Sequence, residues 1–423
     1  VRLTILYSFT QRVLPLVSFD PITIASVEVG TSKIAVILAE YSGDGFTIQG
    51  WGECRAQGVR KGVVEHYADC SQCTLQALEV AKQNAEVETI DRAFLALTGG
   101  HLQGFPSEAS LAVSSADNMV SAREVDQLRQ LALAKELPEG RMLLQSLRRP
   151  FRLDGRLLRN SPEHLAGHRL ELAYWLMHGD QHRVSDSVHM VTSSDIPVVE
   201  MALSSVCSGR VVTSRRERED GVLVLDIGAG TTDYVLYRYG APYVAGVVAV
   251  GGDHLSSDLT TGLRLSVGQG DRVKLRHGRA TVQCRDKAQK IWLDGDGAIG
   301  DRQLPLLSIE RILELRVREL FEVVRQSLSA DFSPEHCAAG VVLTGGTSKL
   351  PGIADVAAEV FGVPAQLGKV SAELPESLQE ELREPGYHTA LGLLLEGIEQ
   401  QRGHFAAEQA QRGGFFRRLF SRH

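Results

Sequence analysis

Residues 221–237 read GVLVLDIGAGTTDYVLY, two apolar, β-prone runs on either side of DIGAGTTD. Glycine permits positive-φ conformations and close approach of the backbone to another group. The segment is therefore either an ordinary hairpin with a generous turn or a loop that offers several N–H groups to an anion. It is not a Walker A loop, since the Gly-Lys-Ser/Thr ending is missing and no helix follows. It is not a dinucleotide fingerprint either: Asp233 stands where the third glycine of GxGxxG belongs, and the chain continues as strand. What remains is a hairpin whose turn forms a concave nest of the kind that binds phosphate, with Gly228, Gly230, Thr231 and Thr232 as its candidate donors. Asp226 beside such a nest would repel phosphate unless a cation lay between them, which points to Mg2+ held through water.

A second copy strengthens the phosphate reading. Residues 24–40, IASVEVGTSKIAVILAE, repeat the order of apolar strand, acid, apolar residue, glycine, small polar residues and apolar strand. Glu28-Val29-Gly30 corresponds to Asp226-Ile227-Gly228, and Gly30, Thr31, Ser32 and Lys33 form the matching loop. Two such hairpins predict a duplicated domain whose halves present one loop each to a shared ligand, with Glu28 and Asp226 at its cation. A third segment, AGVVLTGGTSKLPGIADVAAEVFG at 339–362, predicts a strand over 341–343 that ends in Gly345-Gly346 and a helix from near Gly352. Paired glycines after a strand let a flat group such as a nucleoside lie against backbone; alone, they are also common in βα turns.

In this order the three segments resemble the two phosphate loops and the adenosine loop of the actin–Hsp70–sugar kinase ATPases. From about residue 21 to the C-terminus the chain resembles the bacterial FtsA branch of that superfamily. The likeness is carried by GVLVLDIGAGTTD, VGGDHLSSDL and VVLTGGTSKLPG, and by the stretch from RAFLALTGGHLQGFPSEASL through LLQSLRRPFRLDG to PEHLAGHRLELAYWLMHG. It implies an α/β actin-like ATPase fold: two duplicated ribonuclease H-like lobes around a nucleotide cleft, with an FtsA-type inserted 1C subdomain. The implied bounds are an N-terminal extension over 1–20, first-lobe segments (1A) over 21–91 and 179–215, and the 1C insert over 92–178. The second lobe (2A) would span 216–262 and, with a return to 1A, 336–398; subdomain 2B would span 263–335, a linker 399–413 and a terminal helix 414–423.

The same resemblance implies ATP and Mg2+ as ligands. It gives the ribose to an acid and a lysine on one helix, here Asp271 and Lys274 in GDRVKLRHG, with Asp271 where the family usually has glutamate. Glu28 likewise replaces the superfamily's usual aspartate, a longer side chain by roughly one bond length. No residue is an obvious general base for an attacking water, so the expectation is ATP binding with slow or absent hydrolysis. The implied partners are further copies of the chain in filaments, the C-terminal peptide of the tubulin-like ring protein FtsZ on 2B, and other division proteins on 1C. The implied place is the inner face of the cytoplasmic membrane at the division site, where the chain would anchor the FtsZ ring and recruit later proteins.

The ending QRGGFFRRLFSRH supplies an anchor. At about 100° per residue, Phe415, Phe416, Leu419 and Phe420 share one face, and Arg417, Arg418 and Arg422 the other. Such a helix suits the headgroup plane of an anionic membrane, and QQRGHFAAEQAQRGG before it reads as a flexible linker. A terminal helix docked on the body is the plainer alternative.

Composition bounds the rest. The chain has 423 residues, 43% apolar and 23% charged, with net charge −7; this is a globular composition that gives no reason to expect nucleic-acid binding. No run of about 18 apolar residues predicts a transmembrane helix. The N-terminal VRLTILYSFTQRVLPLVSFD superficially resembles a signal peptide, yet Arg12 interrupts it and no small-residue cleavage site follows. It reads as an amphipathic extension or an upstream start. The six scattered cysteines, with one C-x-x-C at Cys70–Cys73 and no second pair, predict a reduced cytosolic setting rather than zinc. His164/His168 and His178/His182 have metal spacing, but Gly167 and Gly179 argue against the helices that would carry them. Ser121 with Glu124 predicts a capping box and a helix to about Glu136. SIERILELRVRELFEVVRQSL predicts an amphipathic helix starting after Ser308, with Arg311, Arg316 and Arg318 open to solvent or to an acidic peptide. The weaker alternatives are a PilM-type pilus-assembly adaptor and, in another class, a small-molecule kinase of the same superfamily.

Overall fold

The computed structural model describes residues 21–399 apart from 43–44, 116, 296–299, 329–330, 372–373 and 375–377. The expected extension over 1–20, the linker beyond 399 and the terminal helix, with Phe415, Phe416, Arg417, Arg418, Leu419 and Phe420, lie outside the described residues.

The chain opens with three antiparallel strands, β1 (Ile22–Val29), β2 (Lys33–Tyr41) and β3 (Phe46–Arg55). Ile34 through Ala39 are wholly buried, which is why β2 reads as an unbroken apolar run. A small hairpin, β4 (Val59–Arg60) and β5 (Val63–Val64), leads to α1 (Tyr67–Ala85) and β6 (Arg92–Leu97). The inserted unit follows: β7 (Gln103–Ala112), α2 (Ala122–Leu133), β8 (Arg141–Arg148), β9 (Phe151–Leu153), β10 (Arg156–Leu158) and β11 (Arg169–Asp180). The chain then returns through α3 (Gln181–Thr192), β12 (Val198–Leu203), α4 (Ser204–Val212) and α5 (Arg215–Asp220).

The second lobe holds β13 (Val222–Ile227), β14 (Thr232–Arg238), β15 (Ala241–Val248), α6 (Gly252–Leu263) and α7 (Val267–His277). It continues with β16 (Lys290–Leu293), β17 (Arg302–Pro305), α8 (Leu306–Leu328), β18 (Val341–Thr344), α9 (Ile353–Phe361) and β19 (Ala365–Leu367). Residues 388–399 are helical.

The two main sheets have one topology. The first runs β3-β2-β1-β6-β12 and the second β15-β14-β13-β18-β19. In each, three antiparallel strands are followed by two that add in parallel. The duplication expected from two glycine hairpins is therefore a duplication of whole sheets. Successive side chains of β13 serve different cores. Val222 and Val224 join the first-lobe core with Val206 and Val211 of α4, whereas Leu223, Leu225 and Ile227 join a core with Leu255, Phe321 and Phe361.

The insert has its own sheet and core, in which Val125 and Leu128 of α2 pack on Phe151, Leu170 and Leu172. Its capping box is formed: Ser121 Oγ accepts from the Glu124 N–H at 3.3 Å, and Glu124 Oε2 accepts from the Ser121 N–H at 2.9 Å. The helix ends at Leu133, three residues short of the expectation. The insert also starts later than expected. β6 pairs with β1 and β12, so residues 92–97 belong to the first lobe and the insert begins beyond Leu97.

The expected start of α8 is corrected, and its arginines carry ion pairs on a face that is still partly solvated. The helix starts at Leu306, not after Ser308: Pro305 closes β17, and the Leu306 N–H finds the Gln289 carbonyl at 3.1 Å without a serine cap. Its arginines are engaged: Arg311 with Glu314 at 2.8 Å, Arg316 with Asp258 and Glu319, and Arg318 with Glu359 at 2.5 Å. Arg316 and Arg318 tie α8 to α6 and α9, while the Arg311 pair stays within α8 on a solvated face. The discounted histidine pairs do not share helices; His178 lies in β11, and its Nδ1 accepts from Arg141 Nε at 2.8 Å.

Candidate functional site

The β1–β2 and β13–β14 turns are built alike. Gly30 donates its N–H to the Lys33 carbonyl at 3.0 Å, and Gly228 to the Thr231 carbonyl at 2.9 Å. Being ends of equivalent strands in the two sheets, these turns meet across the junction of the lobes. A Cβ on Gly230 would stand 2.5 Å from Thr31 Oγ1 and 2.9 Å from the backbone of Lys61. Thr31 Oγ1 accepts from the Gly62 N–H at 3.0 Å, and the Ser32 carbonyl accepts from the Ala56 N–H at 3.0 Å.

The third segment joins the second hairpin by strand register, with Thr344 of β18 beside Asp226 of β13. Gly345 follows at φ +81°, and a Cβ there would fall 2.4 Å from Asp226 Oδ1. Only glycine fits both the conformation and the space. Gly346 faces open space, with nothing within 4 Å of an added Cβ. Thr347 Oγ1 donates to the Gly228 carbonyl at 2.9 Å, which also accepts from the Gly252 N–H at 2.9 Å. The second hairpin thus caps the N-terminus of α6. On α7, Asp271 and Lys274 are one turn apart with 3.5 Å between their charged atoms. Asp271 accepts from Ser256 Oγ at 2.5 Å, and Lys274 Nζ donates to the Gly252 carbonyl at 3.0 Å. Gly228, Thr347, Gly252 and Lys274 therefore form one hydrogen-bonded corner.

Lys33 departs from its expected place. Its ammonium group pairs with Glu53 at 3.0 Å and lies 3.0 Å from the centre of the Tyr387 ring. Tyr387 in turn donates its hydroxyl to Glu53 at 2.6 Å. The lysine is thereby occupied as a clamp on the returning chain rather than offered to the loop.

The acids form the electrostatic centre. Asp226 and Asp233 face each other across β13 and β14. Asp226 Oδ2 accepts from Thr389 Oγ1 at 2.8 Å, at the start of the helix over 388–399. Asp233 Oδ2 accepts from Thr231 Oγ1 at 3.0 Å and from Thr98 Oγ1, across from the first lobe, at 2.7 Å. Asp233 Oδ1 and Glu28 Oε2 are buried without a hydrogen-bond partner. Burial pushes the Glu28 carboxyl up to about 8; the charges of Asp226 and Asp233 add to the rise, and Lys33 opposes it. Burial and then Asp226 push Asp233 up to about 8 as well. Asp226 is raised by burial, against the hydroxyls of Thr389 and Ser208. Three acids that penalise one another's charge call for a proton or a cation. Among the described residues, no group of three or more His, Cys, Asp or Glu side chains is placed to hold a metal ion directly.

Sequence reading singled out Glu28, Asp226, the loop glycines and threonines, Asp271 and Lys274, but not Asp233, Thr98 or Thr389. Asp233 was legible once Asp226 and the hairpin were drawn in register. Thr98 and Thr389 carry no local motif; the pairing of β6 with β1 and the return of the chain to the first lobe bring them in.

Comparison with known proteins agrees with this architecture. Residues 223–392 match the family model "Cell division protein FtsA", and residues 99–177 match "SHS2 domain inserted in FTSA"; together they span more than half of the chain. The second match begins just beyond β6, where the insert sheet begins. The cell division protein FtsA of Pseudomonas aeruginosa is 28% identical over 89% of this chain and 90% of its own. That of Neisseria meningitidis is 27% identical over 92% and 95%, and that of Borreliella burgdorferi 29% over 90% and 92%. Among solved structures, the PilM–PilN type IV pilus biogenesis complex superposes with a TM-score of 0.58 at 18% identity, covering 89% of this chain and 98% of that one. MreB 5 of Spiroplasma citri bound to AMPPNP gives 0.52 at 12%, covering 90% and 98%, and the MamK double helical filament 0.52 at 13%, covering 89% and 98%. With two sheets of one topology joined at their glycine turns and the insert between them, the chain belongs to the FtsA family of cell-division proteins and has the actin-like ATPase fold.

Proposed function

We propose that this protein binds ATP with Mg2+ between its lobes, assembles into filaments in that state, and tethers the FtsZ ring to the inner face of the cytoplasmic membrane. The observation that carries the reading is the meeting of the two hairpins beside Glu28 and Asp233, each with a buried carboxylate oxygen lacking a donor. Mg2+ keeps several waters when it binds phosphate. Glu28, Asp226 and Asp233 would accept from those waters, and the cation would offset the mutual repulsion of the acids. Gly30, Thr31, Ser32, Gly228, Gly230, Thr231 and Thr232 would hold the phosphates; Asp271, Lys274, Gly345 and Gly346 would hold the nucleoside. Hydrolysis is slow or absent in this reading, because Glu28, Asp226 and Asp233, the buried acids at the turns, are all assigned to the cation.

Subdomain 2B is the FtsZ-facing surface. Since Arg311, Arg316 and Arg318 are already ion-paired, apolar side chains make the contact. Val267, Leu275, Trp292 and Leu315 are 73%, 80%, 58% and 55% exposed there. Other division proteins meet the 1C insert. The residues from Phe415 to Phe420 attach the protein to anionic lipid, weakly for one copy and firmly for a filament that presents many.

Co-sedimentation with phosphatidylglycerol vesicles tests the scheme. The full chain should pellet with vesicles more completely with Mg-ATP than without, and deletion of residues 414–423 should abolish pelleting. Equal pelleting by the truncated chain would refute the anchor; equal pelleting with and without nucleotide would refute the coupling. Retention of an FtsZ C-terminal peptide by the wild-type chain, and its loss on Trp292→Ala, would place the ring contact on 2B.

A further inference from the structure

Helix α1 is pressed onto β3, and glycine lets it come close. A Cβ on Gly50 would stand 2.6 Å from the Ala85 nitrogen, and one on Gly52 would stand 2.4 Å from the Ala77 carbonyl oxygen and 2.5 Å from the Ala81 nitrogen. Gly50, Gly52 and Cys54 alternate along β3 and so share its helix-facing side. Ala85, Ala81, Ala77 and Cys73 recur every fourth residue and share one face of α1. The helix runs back along the strand, so the next position in each series sets Cys54 against Cys73.

The two thiols meet there. Both reach the Arg55 carbonyl oxygen, Cys73 Sγ at 3.4 Å and Cys54 Sγ at 3.5 Å, and the Cys54 thiol also engages that of Cys73. Cys54 is partly exposed, Cys73 is buried, and both are free thiols. Backbones held this close are what a disulfide requires, since its two Cα atoms must lie within a few ångströms. An accessible cysteine beside a shielded one is also the arrangement of an oxidised thiol and its resolving partner. Cys70, one turn before Cys73, is wholly buried, and burial pushes its thiol up to about 11.

We propose that Cys54 and Cys73 form a reversible disulfide when the protein meets a peroxide. The Cys54 thiolate attacks one peroxide oxygen; an S–O bond forms, the O–O bond breaks, and the departing hydroxide takes a proton to become water. Cys73 then gives up its proton and attacks the Cys54 sulfur. The S–S bond forms, the S–O bond breaks, and a second hydroxide leaves as water. Two thiols lose two electrons, and the peroxide is reduced to two waters. Burial and the neighbouring thiol hold Cys54 above its ordinary value, so the first step is slow at neutral pH. The bond fixes α1 to the end of β3, where the Ala56 N–H holds the Ser32 carbonyl at 3.0 Å. It thus braces the first glycine turn from behind, whatever that turn binds.

Treatment of the full chain with hydrogen peroxide, followed by peptide mapping under non-reducing conditions, tests the proposal. One intramolecular link between the peptides carrying Cys54 and Cys73 is expected, and dithiothreitol should remove it. The link should raise the melting temperature by about 3 °C or more. Cys54→Ser and Cys73→Ser should each abolish the link and the rise, and Cys70→Ser should leave both. Cys54→Ser, at a partly exposed position, keeps the test sound should the buried variant fold poorly. A Cys70–Cys73 link in the wild-type chain would overturn the proposal. So would a rise that survives Cys54→Ser, or oxidation of Cys54 to sulfinic acid with no link formed.

Discussion

Asp226 stands at the point where all three glycine segments converge. Asp233 faces it across the hairpin, Gly345 leaves no room beside its Oδ1, and Thr389 donates to its Oδ2. Gly345→Ala is therefore expected to destabilise the protein by about 1–3 kcal/mol, from left-handed backbone strain and collision with the carboxylate. Chemical denaturation measures the loss, and the variant should bind ATP more weakly at any temperature where it is folded. Glu28 makes a pH prediction. Its folded carboxyl titrates at about 8, above its ordinary value, so between those values the folded state binds more protons than the unfolded. Stability then falls as pH rises through that window. In protein free of metal and nucleotide, the melting temperature should drop from pH 6 to pH 8.5. Glu28→Gln should flatten the drop and raise the pH 8.5 value by about 3 °C or more. Saturating Mg-ATP should flatten it in the wild-type chain, because the cation then balances the acids.

Elements were legible in the sequence to different degrees, for physical reasons. The runs that became β1, β2, β13 and β14 are β-branched and buried on both faces, so their apolar character is continuous and their glycine turns stand out. The capping box of α2 is a local device and was readable as such. Replacing Ser121 with Ala should cost about 1 kcal/mol and speed hydrogen exchange in Ala122–Leu133 more than in β7 or β11. Pairing in space was not readable. RAFLAL is a buried strand that could have served either neighbour, and only its register with β1 assigns it to the first lobe. Lys33 is adjacent to its loop in sequence, yet Glu53 and Tyr387 take its charge, and Tyr387 is 334 residues from Glu53. Arg316 and Arg318 of α8 likewise find acids on α6 and α9.

At the scale of the molecule, a repeated sheet with one glycine turn per copy makes a two-sided holder, and the returning chain links it to whatever follows. Thr98 bonds to Asp233 from the first lobe, and Thr389 bonds to Asp226 from the helix over 388–399, which Arg210 grips through Glu396 at 2.8 Å. A ligand bound between the turns, as proposed, would act on both lobes and on the last described helix together. Thr98→Val should leave each lobe folded while loosening their contact, seen as greater expansion of the nucleotide-free protein in small-angle scattering and partial recovery with Mg-ATP. The most direct test of the holder is calorimetric titration with ATP, with Mg2+ and with EDTA, on the wild-type chain and on Asp226→Asn. Saturable binding that needs Mg2+, weakened at least tenfold in Asp226→Asn, is the predicted result. Binding of equal strength without the cation and in the variant, or no binding at all, would contradict it.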